Sequence, residues 1–357
     1  MNIDTLPTYF LAANSGYGFY SEFKNCYSAE DGWTAYIIKG GPGTGKSSLM
    51  RHIALSVYEK GHPTEICRCS SDPHSLDGVI FPTLKTVILD GTAPHIVEPA
   101  YPAVCEQIIN TGDFWDTDKI KPYRKEVLDL CRLNSAYHKK ASQYITAAGQ
   151  VLKYNFNAAL SATDIDKVFS YGTRLAKKHI PKTKKSSREW VRFLSGITPV
   201  GQVFFGGTLD LFKTKVVVSD EYGAVAGILM SAIRDYAVSC GHEIITVKNA
   251  VLPNDIIDHI IIPDLSLCFC RECRETPING DSRRIHARRF MNMTEFHKNR
   301  QKIAFNRRVA TELLISAGET LSAAKAVHDQ IEKYYVDAMD FKALGGYADK
   351  IIQKILN

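Results

Sequence analysis

Residues 36–50 line up without a gap on residues 216–230, and short segments on either side recur in the same order. Gly61-His62 falls on Gly241-His242, and Pro73 on Pro253. After a slip of one residue, Leu76-Asp77-Gly78 through Pro82 falls on Ile257-Asp258-His259 through Pro263. Upstream, Phe10-Leu11 and Gly18 match Phe193-Leu194 and Gly201; downstream, Ala148-Gly149 and Leu152 match Ala317-Gly318 and Leu321. Chance could supply any one pair, but the shared order constrains the chain to build one unit twice. Its 357 residues suffice for two domains, each able to bury a core.

The unit reads as strand, turn, helix, strand, loop, strand and a helical stretch. In the first half a strand is expected over 35–39 and a helix over about 47–60, stopped by Gly61. Further strands are expected over 64–69 and 86–89. Short apolar runs alternating with a helix imply a largely parallel sheet with crossover helices. Over 119–178 apolar residues recur at helical spacing (Val127, Leu128, Cys131, Leu133, then Tyr144, Ala148, Val151, Leu152), which predicts a helical hairpin. Residues 293–356 are its counterpart, and 177–188, with Pro181 and several lysines, form a linker. The expected boundaries are 1–180 and 188–357.

Between the first strand and helix stands Gly40-Gly41-Pro42-Gly43-Thr44-Gly45-Lys46-Ser47-Ser48, and residues 40–47 fit the Walker A pattern in full. Glycines let the backbone turn its amides toward phosphate oxygens, and the helix N-terminus adds partial positive charge. Lys46 would reach the β- and γ-phosphates, and the Ser47 hydroxyl would ligate Mg²⁺. A glycine-rich turn before a helix is the plain alternative. Val87-Ile88-Leu89-Asp90 ends a strand with a carboxylate suited to Mg²⁺, and Thr92 and His95 follow it. The loop over 70–78 holds Asp72 and Asp77. Asp77 recurs as Asp258, which favours a structural turn, so Asp72 is the preferred base. The catalytic candidates are Lys46, Asp72 and Asp90.

Together GGPGTGKSS, CSSDPHSLDG and DGTAPH resemble an uncharacterised family of bacterial ATP-binding proteins with two tandem P-loop-like halves. The resemblance spans most of the chain and implies an α/β fold of two tandem P-loop NTPase-like parallel-sheet domains, each with its helical hairpin. It implies Gly40, Gly45, Lys46 and Ser47 at the phosphates, and it brings no established reaction. Mg-ATP hydrolysis at one site is the leading expectation. A kinase acting on a small molecule or nucleotide, and a sensor without turnover, are the alternatives.

The second half departs from the pattern. Asp220 and Glu221 replace Gly40 and Gly41; Val225, Ala226 and Gly227 replace Gly45, Lys46 and Ser47; Arg271 replaces Asp90. A pseudo-site without triphosphate is expected, its two carboxylates facing where phosphates would lie.

The remaining signals are weaker. Cys268, Cys270 and Cys273 suggest zinc, but no fourth ligand is spaced for it. Arg283, Arg284, Arg288, Arg289, Lys298, Arg300, Lys302, Arg307 and Arg308, with Phe290 and Phe296 interleaved, suggest a polyanion contact or an arginine finger against a solvated helix face. No nucleic-acid module is recognisable. The net charge of +6 is only mildly basic. Hydrophobic residues at 45% and charged residues at 23% are ordinary globular values. No signal peptide or membrane span is visible, and the 9 cysteines fit reduced thiols, so a cytoplasmic location is expected.

Overall fold

The computed structural model describes residues 3–280 and 284–357. The first half contains β1 (Thr8–Phe10), the hairpin β2 (Ala12–Ser15) and β3 (Gly18–Ser21), and β4 (Thr34–Lys39) leading into helix α1 (Lys46–Glu59). After these come β5 (Glu65–Arg68), β6 (Leu76–Phe81), β7 (Thr86–Asp90) and β8 (Glu106–Asn110), then helices α2 (Arg124–Ser161) and α3 (Ile165–His179). The second half repeats this with β9 (Arg188–Arg192), β10 (Ser195–Thr198), β11 (Gly201–Phe204) and β12 (Thr214–Ser219) before helix α4 (Ala224–Ser239). It continues through β13 (Glu243–Lys248), β14 (Ile257–Ile262), β15 (Leu267–Glu272) and β16 (Arg284–His286) to helices α5 (Arg300–Val336) and α6 (Phe341–Leu356). Among the described residues no helix is long and apolar enough to cross a membrane.

The two main sheets have the same order, β1-β5-β6-β7-β4-β8 and β9-β13-β14-β15-β12-β16. They are mixed, which corrects the expected parallel sheet. β6 runs antiparallel to both β5 and β7, and β14 does the same between β13 and β15. The cause is connection length: only residues 82–85 separate β6 from β7, too few for a crossover. Residues 76–78, expected in a loop, open β6; the strand is buried at every position and so shows no alternation. Helix α1 forms as expected, burying Leu49, Met50, Ile53, Ala54 and Val57 at helical spacing. Each such large side chain stabilises by about 1.5–3 kcal/mol when fully buried.

The sheets meet where the sequence comparison paired them. Phe10 and Phe193 occupy matching places and bond to each other, N–H to O at 2.8 and 3.0 Å, so a pseudo-twofold axis passes between them. One apolar layer fills the space between the sheets, with Trp33, Ile37 and Leu89 from the first half and Trp190, Val217 and Ile261 from the second.

The expected hairpins do not form. α2 and α5, of 38 and 37 residues, pair with each other along their length. They run antiparallel, with Tyr123 beside Tyr334 at one end and Asn155 bonded to the Ile303 carbonyl and to Asn306 at the other. A helix of this length spans about 57 Å, enough to carry the chain from one half to the other. α3 therefore packs on α4 of the second half, through Val168 and Ala176. In exchange α6 packs on α1 of the first half, through Leu344, Ala348, Ile351 and Ile355. Periodicity identifies a buried face but not the surface that covers it.

Each long helix crosses the hairpin of its own half at a glycine. A Cβ at Gly149 would lie 2.5 Å from the Gly16 Cα, whereas one at Gly318 would lie 3.5 Å from the Gly201 Cα. Gly149→Ala should therefore destabilise the protein by about 1–3 kcal/mol through overpacking of backbone on backbone, while Gly318→Ala should be near neutral. Urea unfolding midpoints of the two variants check this; equal midpoints would mean the α2 crossing is not tight.

Candidate functional site

The loop joining β4 to α1 takes its shape from two left-handed glycines, Gly43 at φ 68° and Gly45 at φ 80°. Thr44 is buried and donates to the Gly41 carbonyl at 2.8 Å. The Thr111 hydroxyl, just past β8, lies 3.0 Å from the Thr44 hydroxyl and 3.1 Å from the Lys39 carbonyl, pinning the loop to the sheet. A Cβ on Gly40 would lie 1.8 Å from that hydroxyl, so any larger residue would have to displace the Thr111 side chain. Pro42 is half-buried, and Ser48 faces solvent on the first turn of α1.

Lys46 folds back over this loop. Its Nζ donates to the Gly41 carbonyl at 2.6 Å, lies 3.4 Å from the Gly40 carbonyl, and stands 3.7 Å from Asp90 Oδ2. Asp90 ends β7, the strand paired beside β4, in register with Ile38. Its other oxygen accepts from the Thr92 amide at 2.9 Å and the Thr92 hydroxyl at 2.6 Å. The Ser47 hydroxyl oxygen accepts from the Leu76 amide at 3.0 Å. Lys46, Ser47 and Asp90 thus converge at one end of the sheet.

The two loop aspartates lie in different settings. Asp72 accepts from the His74 amide at 3.1 Å and the Ser75 hydroxyl at 2.9 Å, and pairs with Lys325 at 3.4 Å. Burial pushes its carboxyl up, but Ser75, Lys325 and the His74 amide outweigh this and hold it below its usual range. Asp77 is not in a turn: it lies buried in β6, 3.5 Å from His95 Nε2. His95 stacks on Phe23 at 4.2 Å, and its Nδ1 has no protein partner. Burial lowers the His95 pKa, but Asp77 and then Asp90 outweigh it and raise it above 6.5.

A roof over the loop comes from the far end of the chain, and no feature of the sequence announced it. Tyr335 abuts Gly41, Glu332 abuts Gly43, and Phe341 and Leu344 abut Gly45. His328 sits 3.3 Å from Glu332, and this contact, with the Gly43 amide among smaller influences, holds the Glu332 carboxyl below its usual range. A surface depression of about 430 Å³ between Glu22, Tyr101 and Arg188 contains none of the expected site residues.

The equivalent place in the second half is filled from within. α4 begins at Ala224, two residues earlier in the shared frame than α1, so the connection shortens to 220–223. Val225 is consequently an ordinary buried helical residue rather than a strained loop residue. Asp220 is buried and accepts from the Ala226 amide at 2.8 Å and the Tyr222 amide at 3.1 Å, placing a carboxylate on the helix N-terminus. Arg271 binds Asp258 at 2.7 Å and the carbonyls of Asp220 and Glu221 at 2.8 and 2.9 Å. Glu221, expected to face inward, instead turns outward to Arg307 at 3.6 Å.

Cys268 and Cys270 are buried in β15, their sulfurs 3.4 Å apart, and Cys273 bonds to Thr276. Among the described residues no three His, Cys, Asp or Glu side chains cluster as a metal site. Within the basic run, Phe290 and Phe296 are buried core residues and Arg283 lies outside the described residues. Compared with known proteins, the chain matches no family model, no curated protein and no solved structure.

Because the folded His95 pKa lies above that of a free imidazole, its charged form stabilises the fold. That contribution is complete below 6.5 and is lost as pH rises through the folded value. Asp77→Asn should drop the His95 midpoint below 6.5, since burial, the largest influence, then meets only weaker opposition. An NMR titration of the imidazole carbon-bound protons reads this directly, and an unmoved midpoint would dissolve the pair.

Proposed function

We propose that this chain binds one Mg-ATP at residues 40–47 and hydrolyses it there, the second half carrying a counterpart that binds none. The observation that supports this most is the Lys46 ammonium, held between the loop carbonyls at 2.6 Å and the Asp90 carboxylate at 3.7 Å. An ammonium has three donors and no acceptor, so an arriving phosphate gives it a better partner than two neutral carbonyls. The loop amides and the α1 N-terminus add to that attraction.

Mg²⁺ fits the residues present. One hydroxyl and one carboxylate are what this ion takes from a protein when phosphates and water complete its shell, so a cluster of three acidic ligands is not required. Ser47 and Asp90 would hold it, with Thr92 fixing the Asp90 rotamer. When bound, the ion would neutralise charge on the phosphate oxygens. Lys46 supplies a second cation where charge grows in the transition state. Asp77 keeps a proton available on His95, which makes this dyad a better acid–base candidate than Asp72, whose carboxylate is already engaged. Tyr335, Glu332 and Phe341 lie against the loop, so filling it presses on the α5–α6 corner, and this contact favours conformational work over phosphoryl transfer to a second substrate.

Lys46→Ala should lower phosphate release by roughly 10²–10³-fold while the far-UV spectrum stays unchanged, the usual loss for one electrostatic group in a transition state. Near-normal turnover would remove the loop from the chemistry. Titration calorimetry of the full chain should count one Mg-ATP, because Asp220 already occupies the second helix N-terminus and lies where phosphate repulsion is strongest. A count of two would end the single-site reading.

A further inference from the structure

The shared frame provides an internal control for charge. Residues 284–308 hold eight Lys and Arg side chains against one carboxylate, Glu295, although the whole chain carries only +6. The corresponding stretch of the first half mixes Asp113, Asp116, Asp118, Glu126 and Asp129 among its cations. The duplicated fold therefore does not require the basic run, which is particular to one end of the α2–α5 pair.

Three of those cations have acidic partners: Arg284 with Glu272, Lys298 with Glu295 and Arg307 with Glu221. Arg288, Arg289, Arg300, Lys302 and Arg308 are exposed and have no carboxylate within ion-pair distance among the described residues. Several lie over aromatic rings instead. Lys302 sits 4.2 Å from the Tyr154 centroid, Arg308 5.7 Å from Phe305 and Arg289 5.7 Å from Tyr171. Contacts between the end of α2 and the start of α5, and between 162–164 and 290–292, bring these groups to one end of the molecule. There the Phe305 ring is 55% exposed, leaving one of its faces open to a stacking partner.

We propose that this surface binds single-stranded nucleic acid, with Arg289, Arg300, Lys302 and Arg308 on the phosphates and Phe305 stacking on a base. Unpaired phosphate-seeking cations interleaved with an exposed ring are what a flexible anionic strand with free base faces needs. A duplex hides those faces inside its own stack. An anionic bilayer fits less well, because the neighbouring exposed apolar residues Ile165 and Phe169 flank the exposed carboxylate of Asp166. The proposal does not depend on the reaction assigned to residues 40–47.

The test is fluorescence anisotropy of the full chain with a labelled mixed-sequence single-stranded 20-mer across a salt series. Four phosphate contacts predict a log–log salt slope of about −3. The triple variant R300E/K302E/R308E should weaken binding by about two orders of magnitude and flatten the slope while its far-UV spectrum stays that of the parent, since these side chains are exposed and lack acidic partners. Phe305→Ala should cost about tenfold. The proposal is overturned by any of three results: no binding at low salt, equal binding by the triple variant, or equal competition from a duplex, polyglutamate or anionic vesicles.

Discussion

The apolar layer shared by the two sheets is the interaction on which the rest depends. Trp33 and Trp190 meet across it with ring centroids 5.2 Å apart, and neither sheet could expose that face to water. A buried cation also sits in this layer: Arg192, 2% exposed, lies 3.8 Å from Glu65 of the other half. Removing one partner of such a pair leaves a charge without compensation, so it ties β9 of one sheet to β5 of the other in one arrangement. Because the halves share this core and exchange outer helices, they form one unit. A fragment starting at 188 would lack α3 and bare the face of α4.

Once two copies of a unit face each other, each long helix can reach the partner's loop. The exchange of α3 and α6 brings the α5–α6 corner down onto residues 40–47. The loop of one half is thus covered by the chain of the other, and its surroundings are set by residues nearly the whole sequence away. Glu332 places a carboxylate beside the Gly43 amide of this loop, and Asp220 occupies the second helix N-terminus more completely.

The two halves show how one scaffold supports opposite electrostatics. In the first, a lysine bends toward a strand-end aspartate and leaves the helix N-terminus without a carboxylate of its own. In the second, the helix takes its own carboxylate and an arginine on the equivalent strand ties the loop shut. Asp77 and Asp258 occupy the same place in the frame, yet one holds an imidazole and the other a guanidinium. A repeated residue can keep its position while its partner, and hence its chemistry, changes.

What the sequence determined by itself was local or repeated. The glycines of 40–45, the α1 boundaries, the terminal Asp90 and the matched segments of the two halves were all legible, because backbone freedom, helical period and order along the chain act over a few residues. The paired bonds of Phe10 and Phe193 even met the sequence frame residue for residue. Tertiary structure alone decided the direction of β6, since uniform burial erases alternation. It alone decided which face covers α3 and α6, since an apolar stripe fits any complementary surface. It moved Asp77 from a turn to a buried dyad and engaged Asp72 with Lys325, because the pairing of charges depends on which distant elements are brought together. Contacts of that range carry no period and no spacing in the sequence, and only packing selects among them.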